Sequence, residues 1–442
     1  MQFRTATAGA LRRFAQVEAG ATTPFAMLML TIFLMFSGFA VDMSHHVKAR
    51  TQLQIAADTV AHAALVARRR EDADTAREVA LELLQGNMPA RRYGMVIDAE
   101  DIEFGNWVQG RFEPDPDARG AVRVLGRRDV ARENALRTFL LRIVGVPTLD
   151  VGALAVFATY QPMCIEEGFV AEGKVDVQSN NNYLRGFCIH SNDHVRINQN
   201  NYFEEGTVVS MPDLDLLDIP NSGFERNEGL EMALREGWMD IRILRELDDV
   251  IHGIRTAADE YRRDYVTDTL PQDRTLNRNN NQLDAADFTE GRIHDFRCMG
   301  QNQRITIPNG TVLRRMVLVT NCRVELGGNV RLEDVVIAST NTSSAAISGA
   351  SGVNIGRDDE CAPGGGAQII TLGSMRFPAN LGIFGSQLIA LGDVEFAARA
   401  DGVQGASIIA GGVIDGTSNS TMARCNRGMD DNFRVPYYSM TM

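Results

Sequence analysis

The sequence predicts a mainly β protein with α: an N-terminal transmembrane helix, a small α/β region, and a β-solenoid carrying a long helical insertion. Three observations predict it. The uncharged run AGATTPFAMLMLTIFLMFSGFAV fills residues 19–41. One strand-like pattern is written three times, as AQIITLGSMRFPA (367–379), SQLIALGDVEFAA (386–398) and ASIIAGGVIDGTS (406–418). All six cysteines lie beyond the apolar run. The solenoid is expected to be right-handed and β-helix-like, with about 18–20 residues per turn.

Bulk properties narrow the class. A chain of 442 residues exceeds one ordinary core, and 44% hydrophobic residues exclude global disorder. The net charge of −13 argues against a nucleic-acid binder, which needs a basic face to meet phosphates. Forty glycines among short valine- and isoleucine-rich runs favour β structure with many turns.

The first element is the membrane segment. A bilayer core of roughly 30 Å needs about 20 apolar residues in a helix, and residues 19–41 supply them. Thr22, Thr23 and Ser37 are tolerated because their hydroxyls can bond back to helix carbonyls. Arg4, Arg12 and Arg13 precede the span and place residues 1–18 in the cytoplasm; Lys48 and Arg50 oppose this on the far side, partly offset by Asp42. A cleaved secretory signal is the alternative, but its apolar region is shorter, about 7–15 residues, and no small-residue cleavage motif follows here.

Residues 42–87 read as a helical stalk. Leu53, Ala56, Ala57, Val60, Ala61, Ala64 and Leu65 recur at three- and four-residue steps, giving one face of small side chains. Such a face suits close packing on another copy, on a partner anchor, or on the chain's own exported region. His45 and His46 are adjacent on this helix and cannot share a face, so juxtamembrane polarity explains them better than metal ligation.

These residues carry a resemblance. The apolar run followed by Val41-Asp42, then Arg50, Leu53-Gln54 and Ala56-Ala57-Asp58, resembles the TadE/TadG-like family of Flp (tight-adherence) pilus assembly proteins. The likeness covers residues 14–85 and extends more weakly through 86–161. Asp42, Arg50, Leu53, Gln54 and Asp58 are the family-motif positions. Phe14 and Glu18 in FAQVE match a prepilin-type processing site, but Arg13 stands where such sites carry glycine, so the resemblance implies an uncleaved, TadG-like anchor. It further implies a single-pass protein of the bacterial inner membrane with a periplasmic C-terminal region. The implied role is non-catalytic, in pilus assembly or a related envelope system, with pilus-assembly or envelope proteins as partners and self-association through 42–85 as one route.

Residues 88–161 read as a small α/β domain, ending in the strand-like AVFATYQP. Two solenoid blocks are expected beyond it, at 162–225 and 298–442, the second including a C-terminal cap. In the first block KVDVQSNNNYLRG (174–186) matches HVRINQNNYFEEG (194–206). Val175 and Val177 align with Val195 and Ile197, and Asn180 and Asn181 with Asn200 and Asn201. Asparagine tolerates left-handed backbone, and stacked amides form ladders. In the second block Ile305 and Ile307 precede Val324 and Leu326 by nineteen residues; Val317 and Val319 precede Val335 and Ile337 by eighteen. Glycines 373, 392 and 412 are expected to allow sharp bends.

Between the blocks, residues 226–297 read as a helical insertion and loop. Leu230, Leu234, Trp238, Ile241, Leu244, Leu247, Ile251, Ile254, Ala258 and Tyr261 form a single helical stripe. This predicts one long helix, or a bent pair, packed along the solenoid. The polar stretch 275–288 reads as a surface loop.

The six cysteines at 164, 188, 298, 322, 361 and 425 favour three disulfides in an exported chain. The recurring separation of twenty-four residues suggests Cys164–Cys188 and Cys298–Cys322, leaving Cys361–Cys425. Asp358, Asp359 and Glu360 are weak metal candidates, since adjacent residues on one strand cannot all converge on an ion. No cofactor is expected. Asp393, Glu395 and Asp401 stand near consecutive turns, where some solenoid polysaccharide lyases and hydrolases keep acids. An adhesin or glycan-binding surface protein with a family-like anchor is one rival reading, and a membrane-tethered polysaccharide enzyme using such acids is a weaker one.

Overall fold

A computed structural model describes residues 22–300 and 302–441, which divide into two units: one formed by residues up to Tyr160 together with Tyr437 onward, the other by Gln161–Pro436. The N-terminal arginines, Phe14, Glu18 and the first residues of the apolar run lie outside the described residues.

In the first unit, helix α1 (Thr22–Arg68) runs unbroken for 47 residues. At 1.5 Å per residue it is about 70 Å long, well over one bilayer. Its two halves differ in burial. Phe25, Leu30, Phe33 and Phe36 are exposed, whereas Leu53, Ala57, Val60, Ala61 and Ala64 are fully buried. One helix in the described residues is therefore long and apolar enough to cross a membrane, with a mean hydropathy of 2.1 over its best window.

The small-residue face is covered from within its own unit. Helix α2 (Ala73–Asn87) starts on an Asp72 cap, whose carboxylate accepts from the Asp74 and Thr75 N–H groups. It lays Ala76, Ala80 and Leu84 against α1. An antiparallel sheet closes the other side: β1 (Ile102–Val108), β2 (Arg111–Pro114), β3 (Ala121–Arg128), then, after the short hairpin β4 (Leu136–Arg137) and β5 (Thr148–Leu149), β6 (Val151–Tyr160). Alternation sets its faces: Val122 and Val124 on β3, with Val151, Ala153 and Ala155 on β6, point into the α1 core. Strand Tyr437–Met440 completes the sheet on the free edge of β6, pairing Tyr437 with Tyr160 and Met440 with Phe157.

The second unit is built on one large sheet in which every described pairing is parallel. The three copies of the repeated pattern lie side by side: Ile369 pairs with Leu388 and Leu388 with Ile408, while Ile370, Ile389 and Ile409 form the next row. The earlier pair does the same, Val175 opposite Val195 and Val177 opposite Ile197. The order of pairing departs from chain order. Residues 407–410 pair with 168–171, so the last strands of the second block adjoin the first strands of the first block. The chain runs outward from 168–171 through 188–191 and 208–211 to Leu234–Glu236, then resumes with Asp268–Leu276 at the other end of the series and works back.

Three expectations need correction. The stripe over 227–266 is not one long helix. It becomes three short helices, Leu230–Ala233, Arg242–Arg245 and Leu247–Arg255, the first set apart from the others by a strand that pairs Leu234 with Val209. The competing strand pairing at Leu234–Glu236 breaks the pattern, and Trp238 of the expected stripe is 67% exposed. Residues 275–288 are not a surface loop. Residues 268–276 pair with 292–298, and Asn280–Gln282 with Arg304–Thr306.

The spacing between 312–320 and 331–339 is nineteen residues rather than eighteen: Met316 faces Val335 and Leu318 faces Ile337. These four point into the main core, whereas Val317 and Val319 are buried on the other side, towards helix Leu247–Arg255. With both faces apolar, the alternation left the register open by one residue. Glycines 373, 392 and 412 stand at bends between strands, as expected, and do so without left-handed backbone. They form a column with Gly173 in which a side chain has no room: a Cβ on Gly173 would come within 2.7 Å of the Gly412 carbonyl, and one on Gly373 within 2.5 Å of the Ser343 carbonyl.

Candidate functional site

In the first unit the first motif residue, Asp42, stands where α1 leaves its exposed apolar half. Asp42 is buried, and its carboxylate accepts three consecutive backbone N–H groups, from Phe139 at 2.6 Å, Leu140 at 2.9 Å and Leu141 at 2.7 Å. These belong to the tip between β4 and β5, where a 3₁₀ turn (Leu141–Val144) presents its unpaired donors. Gly145 at φ +92° closes the turn, and Thr138 holds its neck by donating to the Val146 carbonyl at 2.7 Å. The His45 ring meets Phe139 edge-on at 5.0 Å. His46 lies 3.4 Å from the Asp150 carbonyl, so each adjacent histidine has its own neighbour.

The remaining motif positions act along the same helix. Leu53 is fully buried beside Gly126, where a Cβ would approach it to 3.1 Å. Gln54 donates to Asp58 at 2.8 Å and to the Leu154 carbonyl at 2.9 Å, tying α1 to β6. Arg50 is exposed. Further out, buried Asp101 accepts from Arg127 at 2.6 Å, Arg132 at 2.8 Å and the Asp98 N–H at 2.8 Å. Burial alone would raise its carboxyl; the Arg132, Asp98 and Arg127 bonds outweigh that and hold it below the usual carboxylate range.

In the second unit, rows of like residues follow the parallel pairing. Asn419, Asn180 and Asn200 all have left-handed backbone, and their amides link at 3.1 Å from Asn200 to Asn180 and from Asn180 to Asn419. A buried row lies one residue on. Asn201 accepts from the Asn181 N–H at 3.0 Å, Asn227 from the Asn201 N–H, and Asn181 from the Ser420 N–H. A charged row crosses the same turns: Arg376 opposes Glu395, Glu395 opposes Asp415, and Asp415 opposes Asp176, with Lys174 and Arg196 bonded to Asp176. Glu167 is buried and accepts the backbone N–H groups of Cys425 and Asn426. Burial pushes its carboxyl up, and those two bonds oppose the shift only in part.

The six cysteines form Cys164–Cys188, Cys298–Cys322 and Cys361–Cys425. Cys361–Cys425 packs against Gly405, where a Cβ would lie 2.9 Å from either sulfur.

Asp358, Asp359 and Glu360 are spread over separate partners: Asp358 pairs with Arg399, Asp359 with Arg357, and the Glu360 carbonyl accepts from Arg427. Among the described residues no group of three or more His, Cys, Asp or Glu side chains is placed to hold a metal ion. Asp393 accepts the Val413 N–H, Glu395 is paired with Arg376, and Asp401 is exposed, so the three acids have separate surroundings.

Sequence reasoning missed the partners of Asp42, which lie nearly a hundred residues away. The available signal was the short apolar run FLLRIVGV (139–146) in an otherwise polar region.

Two family models match. One, described as "Putative Flp pilus-assembly TadE/G-like", covers residues 20–73 and bears out the resemblance carried by the anchor motif. The other, "Domain of unknown function (DUF7867)", covers residues 168–426, more than half of the chain. No curated protein and no solved structure matches.

Proposed function

We propose a pilus-associated envelope role for this chain, which belongs to the DUF7867 family. In this reading it is a single-pass inner-membrane protein with a cytoplasmic N-terminus and a periplasmic second unit. It acts as a non-catalytic component of Flp-type pilus assembly or a related surface system. The observation that carries the reading is the coincidence of the TadE/G-like match with α1, whose first half exposes a full bilayer's length of apolar side chains.

The second unit serves in this reading as a β-solenoid. Parallel pairing of successive strands with segments about twenty residues on, as at Val175–Val195 and Leu388–Ile408, is what a chain coiling back over itself would give, and it supports that architecture. Its regular rows of asparagine, arginine and carboxylate side chains offer repeated hydrogen-bonding groups for a protein or glycan. Deletion of the gene should reduce piliation or surface attachment, and restoration should recover it; unchanged piliation would overturn the assembly role. Co-purification with pilus-assembly proteins rather than polysaccharide favours this reading over an adhesin. Polysaccharide turnover that Asp393→Asn or Asp401→Asn abolishes would replace it with an enzyme.

A further inference from the structure

The hairpin tip seated on Asp42 exposes Phe139, Leu140, Ile143, Val144 and Val146, with Ile143 at 76% and Val144 at 63%. Five large apolar side chains on one loop tip form a patch that water does not favour. The fold gives the patch a particular height. Leu140 lies against Gly38, where a Cβ would come within 2.9 Å of it. Gly38 stands three residues, about 4.5 Å, inside the end of the uncharged run. The tip is therefore level with the last turn of the apolar segment.

Beside the same hairpin opens a cleft of about 660 Å³. Five cations line it, Lys48, Arg92, Arg128, Arg137 and Arg142, against a single carboxylate, Glu133. Among the described residues none of the five forms an ion pair. Arg128 donates to the Asn134 carbonyl, and Arg92 and Arg128 lie over the Tyr93 ring, so two guanidinium groups are held in place without being neutralised.

We propose that this cleft takes the phosphate headgroup of an anionic phospholipid while the 139–146 tip enters the acyl layer beside the span. The inference rests on reading residues 22–41 as membrane-spanning. Guanidinium forks pair with phosphate oxygens two at a time, and basic groups at a bilayer surface are drawn to anionic lipid. A free phosphate satisfies the cations but leaves the apolar tip in water. A lipid satisfies both, because its charge and its chains meet at the level where cleft and tip meet.

The test uses the full chain in phosphatidylcholine vesicles with and without phosphatidylglycerol. An environment-sensitive fluorophore is placed at Val144→Cys or, separately, at Phe33→Cys, and quenched with lipids spin-labelled at defined depths. Shallow quenching at 144 and deep quenching at 33 are expected. Quenching at 33 with none at 144 would overturn the proposal and leave the anchor standing; quenching at neither position would remove the anchor reading as well. Native mass spectrometry of the detergent-solubilised chain should retain phosphatidylglycerol in preference to phosphatidylcholine. Arg137→Gln and Arg142→Gln should each cut that preference by about five-fold. Unchanged preference, or displacement of the lipid by millimolar inorganic phosphate, would overturn the cleft as a lipid site.

Discussion

The Asp42 carboxylate accepts the N–H of Leu141 at 2.7 Å across ninety-nine residues of sequence, as the third of three consecutive bonds. With one side chain organising a whole turn, Asp42→Ala should release the tip. Hydrogen exchange at residues 139–141 is expected to rise sharply while α2 stays protected. Unchanged protection at 139–141 would mean that the β4–β5 hairpin holds the turn without Asp42.

Asp101 contributes to the first unit in a pH-dependent way. Its carboxyl is depressed in the folded state, so the stabilisation is present above the unfolded carboxylate range, near pH 4, and is lost as pH falls through the native value. Asp101→Asn should cost about 1–3 kcal/mol at pH 7 and progressively less in acid. Thermal melts at several pH values check this; a cost that does not shrink in acid would refute it.

Glu167 has the opposite sign. Its raised native pKa means that the folded state holds the proton more tightly than the unfolded chain, so stability falls as pH rises from about 4 through the native value. Glu167→Gln removes that slope. The stability difference between variant and parent should shift in favour of the variant over this interval, and a difference constant with pH would count against the assignment.

Gly173→Ala should destabilise the second unit by about 1–3 kcal/mol, because the new methyl meets a carbonyl that pairing holds in place. Gly206→Ala meets nothing within 4 Å and strains only its backbone, at φ +91°. Its cost should be smaller, about 1 kcal/mol. Denaturant melts that reversed this order would show that the glycine column has slack.

Cys298 and Cys322 close a twenty-four-residue loop, so replacing both by serine should lower stability by about 3 kcal/mol in the chain-entropy account. A melting temperature unmoved by the double substitution would show that strand pairing alone fixes these turns.

Legibility followed the range of the interactions. The apolar helix and the parallel, β-rich second half were readable because span length and near-twenty-residue spacing are local or periodic signals, as with Val175 opposite Val195. What failed depended on context. Val317 and Met316 are both apolar, so only the surrounding three-dimensional packing decides which points inward. The stripe from Leu230 to Tyr261 obeys helical period, yet residues 234–236 found an open strand edge at Val209 and left the helix. The return of residues 407–410 to 168–171 leaves no trace in spacing, because the two segments lie far outside the twenty-residue period. At the motif, Asp42 was visible and its three donors were not.

Strand Tyr437–Met440 fills the free edge of β6, yet the ribosome delivers it only after all of residues 161–436. Throughout that stretch of translation the sheet of the first unit waits with one row of donors and acceptors bare. A copy interrupted anywhere in residues 161–436 lacks that strand and keeps the edge of β6 bare. The first unit is therefore closed by a strand made after the whole of the second.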